Sequence, residues 1–258
     1  MTVDTKAFEI MDKIVERSKK SGLAMFLDYD GTLTPIVPRP EDATMPESMR
    51  KAVSDLSKKC TLGVVSGREL QDVKNMVQLD DIVYAGDHGF NIDAPGAKGG
   101  AYRPAEQYLP AVKEAAISLS ESLEGIEGAW VEKKTFTMTV HYRQTPDDKA
   151  PEVERLVRQT AEDLGLRLTS GKKVFELRPN IEWHKGKAVQ WLREELEVTG
   201  AFTIYIGDDT TDEDAFKALG NDGLGILVAD EPKETAATAI LETPDQVEEF
   251  LRELTEKL

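Results

Sequence analysis

Two aspartates, Asp28 and Asp30, stand two positions apart directly after the apolar run Leu23-Ala24-Met25-Phe26-Leu27. A second apolar run, residues 60–65, breaks off at Ser66-Gly67-Arg68, and a third, residues 202–206, at Gly207-Asp208-Asp209. Short unbroken apolar runs are what strands buried on both faces of a parallel sheet look like. Ligands of such sheets bind in the crevice beyond the carboxyl ends of the strands. Asp28 and Asp208, far apart in the chain, are therefore expected at one site. A lone aspartate at a strand end is ordinarily a turn former or a helix cap. Three strand ends that all turn polar favour chemistry instead.

The chemistry follows from the residue types. Asp28, Asp30, Asp208 and either Asp209 or Asp212 in one small volume repel each other unless a cation lies among them. A set of hard oxygen donors without His or Cys points to magnesium over zinc. A carboxylate beside such a cation is a nucleophile able to form an aspartyl-phosphate. Its neighbour can protonate the leaving oxygen and then activate water. The nonbridging phosphoryl oxygens need hydrogen-bond donors and positive charge. Ser66 and the backbone beside Gly67 are candidate donors, and His184-Lys185-Gly186-Lys187 at a helix start offers an ammonium. Spacing alone does not separate Lys185 from Lys187. A kinase reading lacks the glycine-rich nucleotide loop it would need.

The elements that must position these residues alternate strand and helix up to about residue 89 and again from about residue 187. That alternation means α/β: a doubly wound, Rossmann-like parallel sheet with helices on its faces. Between the two stretches the pattern changes. Residues 131–143 alternate apolar and polar and read as one half-buried antiparallel strand. Helical patterns flank it, and two strand-like pieces, 167–169 and 174–178, are split by a turn at Ser170-Gly171. The expected organisation is a discontinuous core over 1–102 and 181–258, interrupted by a smaller α+β cap domain over 103–180. Helices are expected over residues 1–20 and, on the surface, from about Glu242. Extending the alternating strand back to Trp130 puts Glu132 and Lys134 on the same face as Phe136 and Met138, where charges want partners or a ligand. His141 and Arg143 fall on the opposite face and read as structural.

Composition sets the outer bounds. The 258 residues carry 32 Lys+Arg against 48 Asp+Glu, a net charge of −16, which argues against a general nucleic-acid binder. The single cysteine, Cys60, excludes an internal disulfide and a cysteine-based zinc site. It lies in an apolar run and reads as a buried thiol in a reducing compartment. No stretch approaches the roughly 18 uninterrupted apolar residues of a membrane span, and residues 1–20 contain no apolar leader segment. A cytoplasmic protein is expected. The oligomeric state stays open, a monomer being compatible with everything above.

Taken together the motifs resemble those of the haloacid-dehalogenase-like phosphatases, in the right order along the whole core. Asp28-Tyr29-Asp30-Gly31-Thr32-Leu33 is similar to that family's first motif, Ser66 to its second, Lys185 to its third and Gly207-Asp208-Asp209-Thr210-Thr211-Asp212 to its fourth. The resemblance implies Asp28 as nucleophile, Asp30 as general acid/base, and Ser66 and Lys185 on the phosphate, with Lys185 preferred to Lys187. It implies magnesium held by Asp28, Asp30 through its carbonyl, and Asp208, with Asp212 assisting. Only 35 residues separate Asp30 from Ser66, too few for a domain, so the inserted unit resembles the family's second cap type.

A closer similarity, over most of the chain, is to the trehalose-6-phosphate phosphatases. It rests on Gly86-Asp87-His88-Gly89, Glu132-Lys133-Lys134 leading to His141-Tyr142-Arg143, and Glu176-Leu177-Arg178-Pro179 in addition to the four motifs. By this resemblance Glu132, Lys134 and Glu176 would hold sugar hydroxyls. Arg68, beside Ser66, and His88 are further candidates for substrate contact. His184 departs from the acid or Asn that the family often has before Lys-Gly. The implied activity is magnesium-dependent hydrolysis of trehalose 6-phosphate to trehalose and phosphate. The alternatives are another sugar phosphate, such as sucrose 6-phosphate or a glycosyl-phosphoglycerate, or a catalytically silent module of the same fold.

Overall fold

The computed structural model describes residues 3–231 and 233–258, with only the backbone of Asn221. Met1 and Thr2, the start of the expected N-terminal helix, lie outside the described residues. In chain order the elements begin with α1 (Met11–Ser21), β1 (Leu23–Leu27), α2 (Glu47–Ser57), β2 (Thr61–Val65), α3 (Leu70–Val77), β3 (Val83–Gly86), β4 (Asn91–Asp93) and β5 (Ala101–Tyr102). Then come α4 (Leu109–Ser122), β6 (Trp130–Lys133), β7 (Met138–His141), α5 (Ala150–Asp163), β8 (Leu166–Gly171) and β9 (Val174–Pro179). The chain closes with α6 (Lys185–Glu195), β10 (Phe202–Gly207), α7 (Glu213–Leu219), β11 (Gly223–Val228), β12 (Ala239–Leu241) and α8 (Pro244–Lys257). Contacts divide it into two units, one running to Tyr102 and resuming at Trp183, the other spanning 103–182.

The larger unit is built on an eight-stranded sheet in the order β12-β11-β10-β1-β2-β3-β4-β5. Strands β12 to β3 are parallel, and β4 and β5 add an antiparallel edge around the turn at 94–100. Every residue of β1 is buried, which is why that strand shows no alternation. One apolar layer gathers α1, α2, α3 and α8 against one sheet face, and a second gathers α6 and α7 against the other. From β1 the chain winds outward through β2 and β3 on one side, and β10, β11 and β12 take the other. The carboxyl end of β1 is thus a topological switch point, the preferred ligand position of an open parallel sheet.

The acidic C-terminal segment does form a helix, but it belongs to the core. Thr243 caps α8 by accepting from the Gln246 N–H at 3.3 Å. Val247, Phe250, Leu251 and Leu254, spaced to share one face, are buried.

In the smaller unit a four-stranded antiparallel sheet, β6-β7-β9-β8, packs α4 and α5 on one face. Here the sequence reading needs two corrections. Residues 131–143 are a hairpin, β6 and β7, turning at 134–137, where the Lys134 N–H donates to the Thr137 carbonyl at 2.9 Å. The apolar/polar alternation carries on across the turn without Gly, Asn or Pro, so nothing in it marks the break. Glu132 consequently pairs with Thr139, while Met138 pairs with Lys133 and faces the helices. Glu132 is therefore not on Met138's face, and His141 lies on the same face as Glu132. Likewise the β8–β9 turn falls at Lys172-Lys173, with Lys173 at φ +63°, and Ser170 and Gly171 are paired within the strands.

The two chain crossings between the units are tied together within the larger one. Tyr102 stacks on Trp191 with ring centroids 4.5 Å apart and planes 9° off parallel, and meets Trp183 edge-on at 5.7 Å. Trp183 Nε1 donates to the Gly89 carbonyl at 2.8 Å.

Because Phe250 is fully enclosed in the layer under α8 and meets Phe8 edge-on, Phe250→Ala is expected to cost about 3–5 kcal/mol. Urea unfolding of the two proteins checks this, and a loss below about 1 kcal/mol would mean the layer closes around the gap.

Candidate active site

Asp28 extends β1 by one residue, its N–H donating to the Ile206 carbonyl of β10 at 2.9 Å. That bond sets the side chain at the sheet's carboxyl end, 5% exposed. Lys185, first residue of α6, reaches it from the side: Nζ donates to Asp28 Oδ1 at 2.8 Å and to Asp212 Oδ1 at 2.7 Å. Lys187 points to solvent, so the geometry separates the two lysines where spacing could not. Asp212 Oδ1 also accepts from the Tyr205 hydroxyl at 2.6 Å, and Oδ2 from the Asp209 N–H at 3.0 Å. Both its oxygens are thereby occupied by donors, and Asp212 orients Lys185. Asp209 caps the turn at 210–212 and accepts from the Thr210 N–H at 2.6 Å.

Asp208 enters from β10, and Gly31 makes room for it. Gly31 adopts φ +76°, and a Cβ there would lie 2.2 Å from Asp208 Oδ2. Both the left-handed backbone and the close approach therefore require glycine. Carboxylate oxygens of Asp28, Asp208 and Asp212 all fall within 4.8 Å of one another. An open groove of about 540 Å³ runs past Gly31 and Asp208, between Ile36 and Lys233, whose ammonium donates to the Asp208 carbonyl.

Three carboxylates face one ammonium, and the titration behaviour reflects that surplus. Burial pushes the Asp28 carboxyl well above the usual range; Lys185 opposes the rise, and Asp212 and Asp208 add to it. Burial alone would lower the Lys185 ammonium, but Asp28 and Asp212 outweigh it and keep it charged. Asp208 rises from 3.8 to about 6, through burial first and then Asp212 and Asp209. Tyr205 is held as a phenol by burial and by Asp212. A surplus of negative charge on hard oxygen atoms, without His or Cys among them, is what a divalent magnesium-like cation fits.

The second strand end supplies the hydroxyl. Ser66 is buried, anchored by its N–H to the Ala85 carbonyl at 2.8 Å, and Oγ accepts from the Arg68 N–H at 3.1 Å. Gly67 lets the His88 ring lie against its backbone, since a Cβ would meet that ring at 2.6 Å. Arg68 does not stand free for a ligand: Nε and one terminal nitrogen grip both oxygens of Asp30, each at 2.7 Å. Asp30's carboxylate is thus turned to Arg68 and lies outside the Asp28–Asp208–Asp212 cluster. Sequence reasoning missed Tyr205 as a member of the site because it sits inside an apolar run. It also missed the Arg68–Asp30 clamp, whose partners come from different strand ends.

In the smaller unit, Glu132, Lys134 and Glu176 share the sheet face away from the helices. Glu132 and Glu176 flank Thr139 from the two neighbouring strands, and Lys134 Nζ lies 3.9 Å from Glu132 Oε1.

A switch-point site with paired aspartates, a buried lysine and a strand-end serine defines a hydrolase core of the haloacid-dehalogenase-like class. Comparison with known proteins narrows this: a sequence profile of the trehalose-phosphatase family matches residues 26–248. The chain is 41% identical to a probable trehalose-phosphate phosphatase of Arabidopsis thaliana, the match covering 99% of this chain and 78% of the relative. It is 42% identical to a trehalose 6-phosphate phosphatase of Zea mays, covering 95% and 73%. Among solved structures, a trehalose-6-phosphate phosphatase of Aspergillus fumigatus superposes with TM-score 0.73 at 25% identity, covering 99% of this chain and all of that one. A trehalose-6-phosphate phosphatase related protein gives the same score at 26% identity, covering 91% and 97%. The chain belongs to the trehalose-phosphatase family of phosphoric monoester hydrolases.

The raised Asp208 has a thermodynamic sign. Its folded carboxyl keeps a proton that the unfolded chain has released above 3.8, so its contribution to stability is full below 3.8 and lost as pH rises through about 6. Wild type is therefore expected to lose thermal stability relative to Asp208→Asn across that window, followed by calorimetry. Millimolar magnesium should raise the wild-type midpoint above it and leave Asp208→Asn unmoved. A stability gap that does not change with pH would contradict the crowding at Asp208.

Proposed function

We propose that this protein hydrolyses trehalose 6-phosphate to trehalose and inorganic phosphate with magnesium as its cofactor, in the cytoplasm, the unit over 103–182 acting as a sugar-recognising cap. The observation that carries the reaction type is the buried Lys185 held between Asp28 and Asp212 beside Asp208; family membership supports the substrate. Asp28, Asp208 and the Asp30 carbonyl would hold the cation, and Asp212 would assist by orienting Lys185. Bound there, the cation would neutralise negative charge on the phosphoryl oxygens.

Asp28 is the nucleophile. Its free carboxylate oxygen attacks phosphorus in line, the bond to the sugar oxygen breaks, and Asp30 delivers a proton to that oxygen. Asp30 then takes a proton from water, which displaces Asp28 from phosphorus and regenerates the carboxylate. Lys185 and the Ser66 hydroxyl bind the nonbridging oxygens, helped by the amino end of α6. For Asp30 to act, its carboxyl must leave the Arg68 guanidinium for the leaving oxygen and carry a proton. The water-splitting step of the preceding turnover supplies that proton. An arriving phosphate is an alternative anionic partner for Arg68, which reconciles the clamp with substrate contact by Arg68. Glu132, Lys134 and Glu176 offer acceptors and a donor to sugar hydroxyls. His88 borders the Ser66 loop as a further contact.

Phosphate release is measured with magnesium on trehalose 6-phosphate, sucrose 6-phosphate, glucose 6-phosphate and a glycosyl-phosphoglycerate. Turnover is expected on trehalose 6-phosphate, falling in Asp28→Asn by at least about 1000-fold, since a nucleophile is lost outright. Undiminished activity in that variant would sink the mechanism, and preference for another member of the panel would sink the substrate.

A further inference from the structure

Glu132 is an awkward residue for a recognition role. It stands on β6, an edge strand, with a side chain 41% exposed and several torsions free to turn. A loose carboxylate loses conformational freedom when it binds, and that loss subtracts from affinity. The structure shows what restrains it. His141 Nε2 lies 2.8 Å from Glu132 Oε2, a diagonal contact across the β6–β7 pair. The His141 ring is in turn fixed: Trp130, its direct cross-strand partner, stacks on it with centroids 4.0 Å apart and planes 7° off parallel.

Trp130 itself is 53% exposed, one of very few large apolar side chains at the surface of the described residues. Its indole has a use where it stands, covering one face of the imidazole and holding the ring in the plane that points Nε2 at the carboxylate. The other oxygen, Oε1, faces Lys134 at 3.9 Å, an ion-pair distance without a hydrogen bond. One oxygen is therefore committed to His141, and the other keeps its acceptor capacity. Thr139 and Glu176 continue the same face on the inner strands.

From this juxtaposition we infer that Trp130 and His141 are positioning residues that set the specificity of the cap: the stacked indole fixes the imidazole, the imidazole fixes Glu132, and Glu132 meets a sugar hydroxyl with its direction already set. The inference rests on the proposed reading of this face as the sugar-recognising one. Neither residue has to touch the phosphoryl group, so the effect belongs to sugar recognition and not to the chemistry at Asp28.

The test compares trehalose 6-phosphate with p-nitrophenyl phosphate, which has no sugar, in His141→Leu, His141→Gln, Trp130→Ala and Trp130→Phe. His141→Leu is expected to raise KM for the sugar phosphate about tenfold, the scale of a hydrogen bond to a charged group, with kcat and p-nitrophenyl phosphate turnover little changed. His141→Gln, which retains an N–H donor, should recover part of the loss. Trp130→Ala should reproduce part of it, and Trp130→Phe, which keeps a stacking ring, much less. In a Glu132→Ala background none of the four should raise KM further. Equal losses on both substrates, or a loss that persists without Glu132, would overturn the inference and leave the trio as sheet packing. If wild type prefers another sugar phosphate, the substrate reading fails and the same cycle on the preferred one still decides the positioning role. Wild-type turnover of p-nitrophenyl phosphate but of no sugar phosphate would overturn both.

Discussion

A single ammonium in a buried, over-negative site is the constraint around which the larger unit is organised. Lys185 has almost no contact with solvent and lies between Asp28 and Asp212. Withdrawing one partner from such a group costs far more than the pair contributes, because an uncompensated charge is left inside. The arrangement explains why three elements end where they do: β1 one residue short of Asp28, α6 beginning at Lys185, and β10 just before Asp208. Tyr205 contributes from within β10 itself, so a strand that looks wholly apolar also carries a donor into the site.

The same charge arithmetic separates residues that the motifs treat alike. Asp28 and Asp208 point into a common space with oxygen atoms left for a ligand. Asp212 already accepts from Lys185, Tyr205 and the Asp209 N–H, so both of its oxygens are engaged with donors. Asp30 is different again, because its carboxylate is shared with a guanidinium and not with the cluster. Four aspartates within one small region thus have three distinct surroundings, and local partners, not spacing, assign them.

How much of this could be read from the chain depends on where the physical signal lies. Strands buried on both faces advertise themselves as apolar runs, and their polar ends point to the site, so β1, β2, β3 and β10 and the convergence of Asp28, Ser66 and Asp208 were legible. Strand β11, with glycines at its start and middle, and the short strands β4, β5 and β12 carry weaker signals and went unread. In the smaller unit the alternation of Thr135, Phe136, Thr137 and Met138 runs straight through a hairpin turn made without Gly, Asn or Pro. That hides the break and puts Glu132 on the wrong face, while His141 does lie on the face opposite Met138, as read. A one-residue error in strand phase exchanges the two faces of a sheet, and it is on the corrected face that His141 and Glu132 meet.

The aromatic contacts of Tyr102 with Trp183 and Trp191 bear on how this architecture tolerates change. The two ends between which residues 103–182 are threaded already touch through their aromatic rings, within the larger unit. Holding the ends of an insertion together is the part of loop closure that depends on its length, and each doubling adds only about 0.6 kcal/mol. With closure secured locally, the inserted segment is free to lengthen, shorten or be replaced with little penalty to the sheet. Changes of length or sequence in the inserted segment are then decoupled from the sheet that carries Asp28, Lys185 and Asp208.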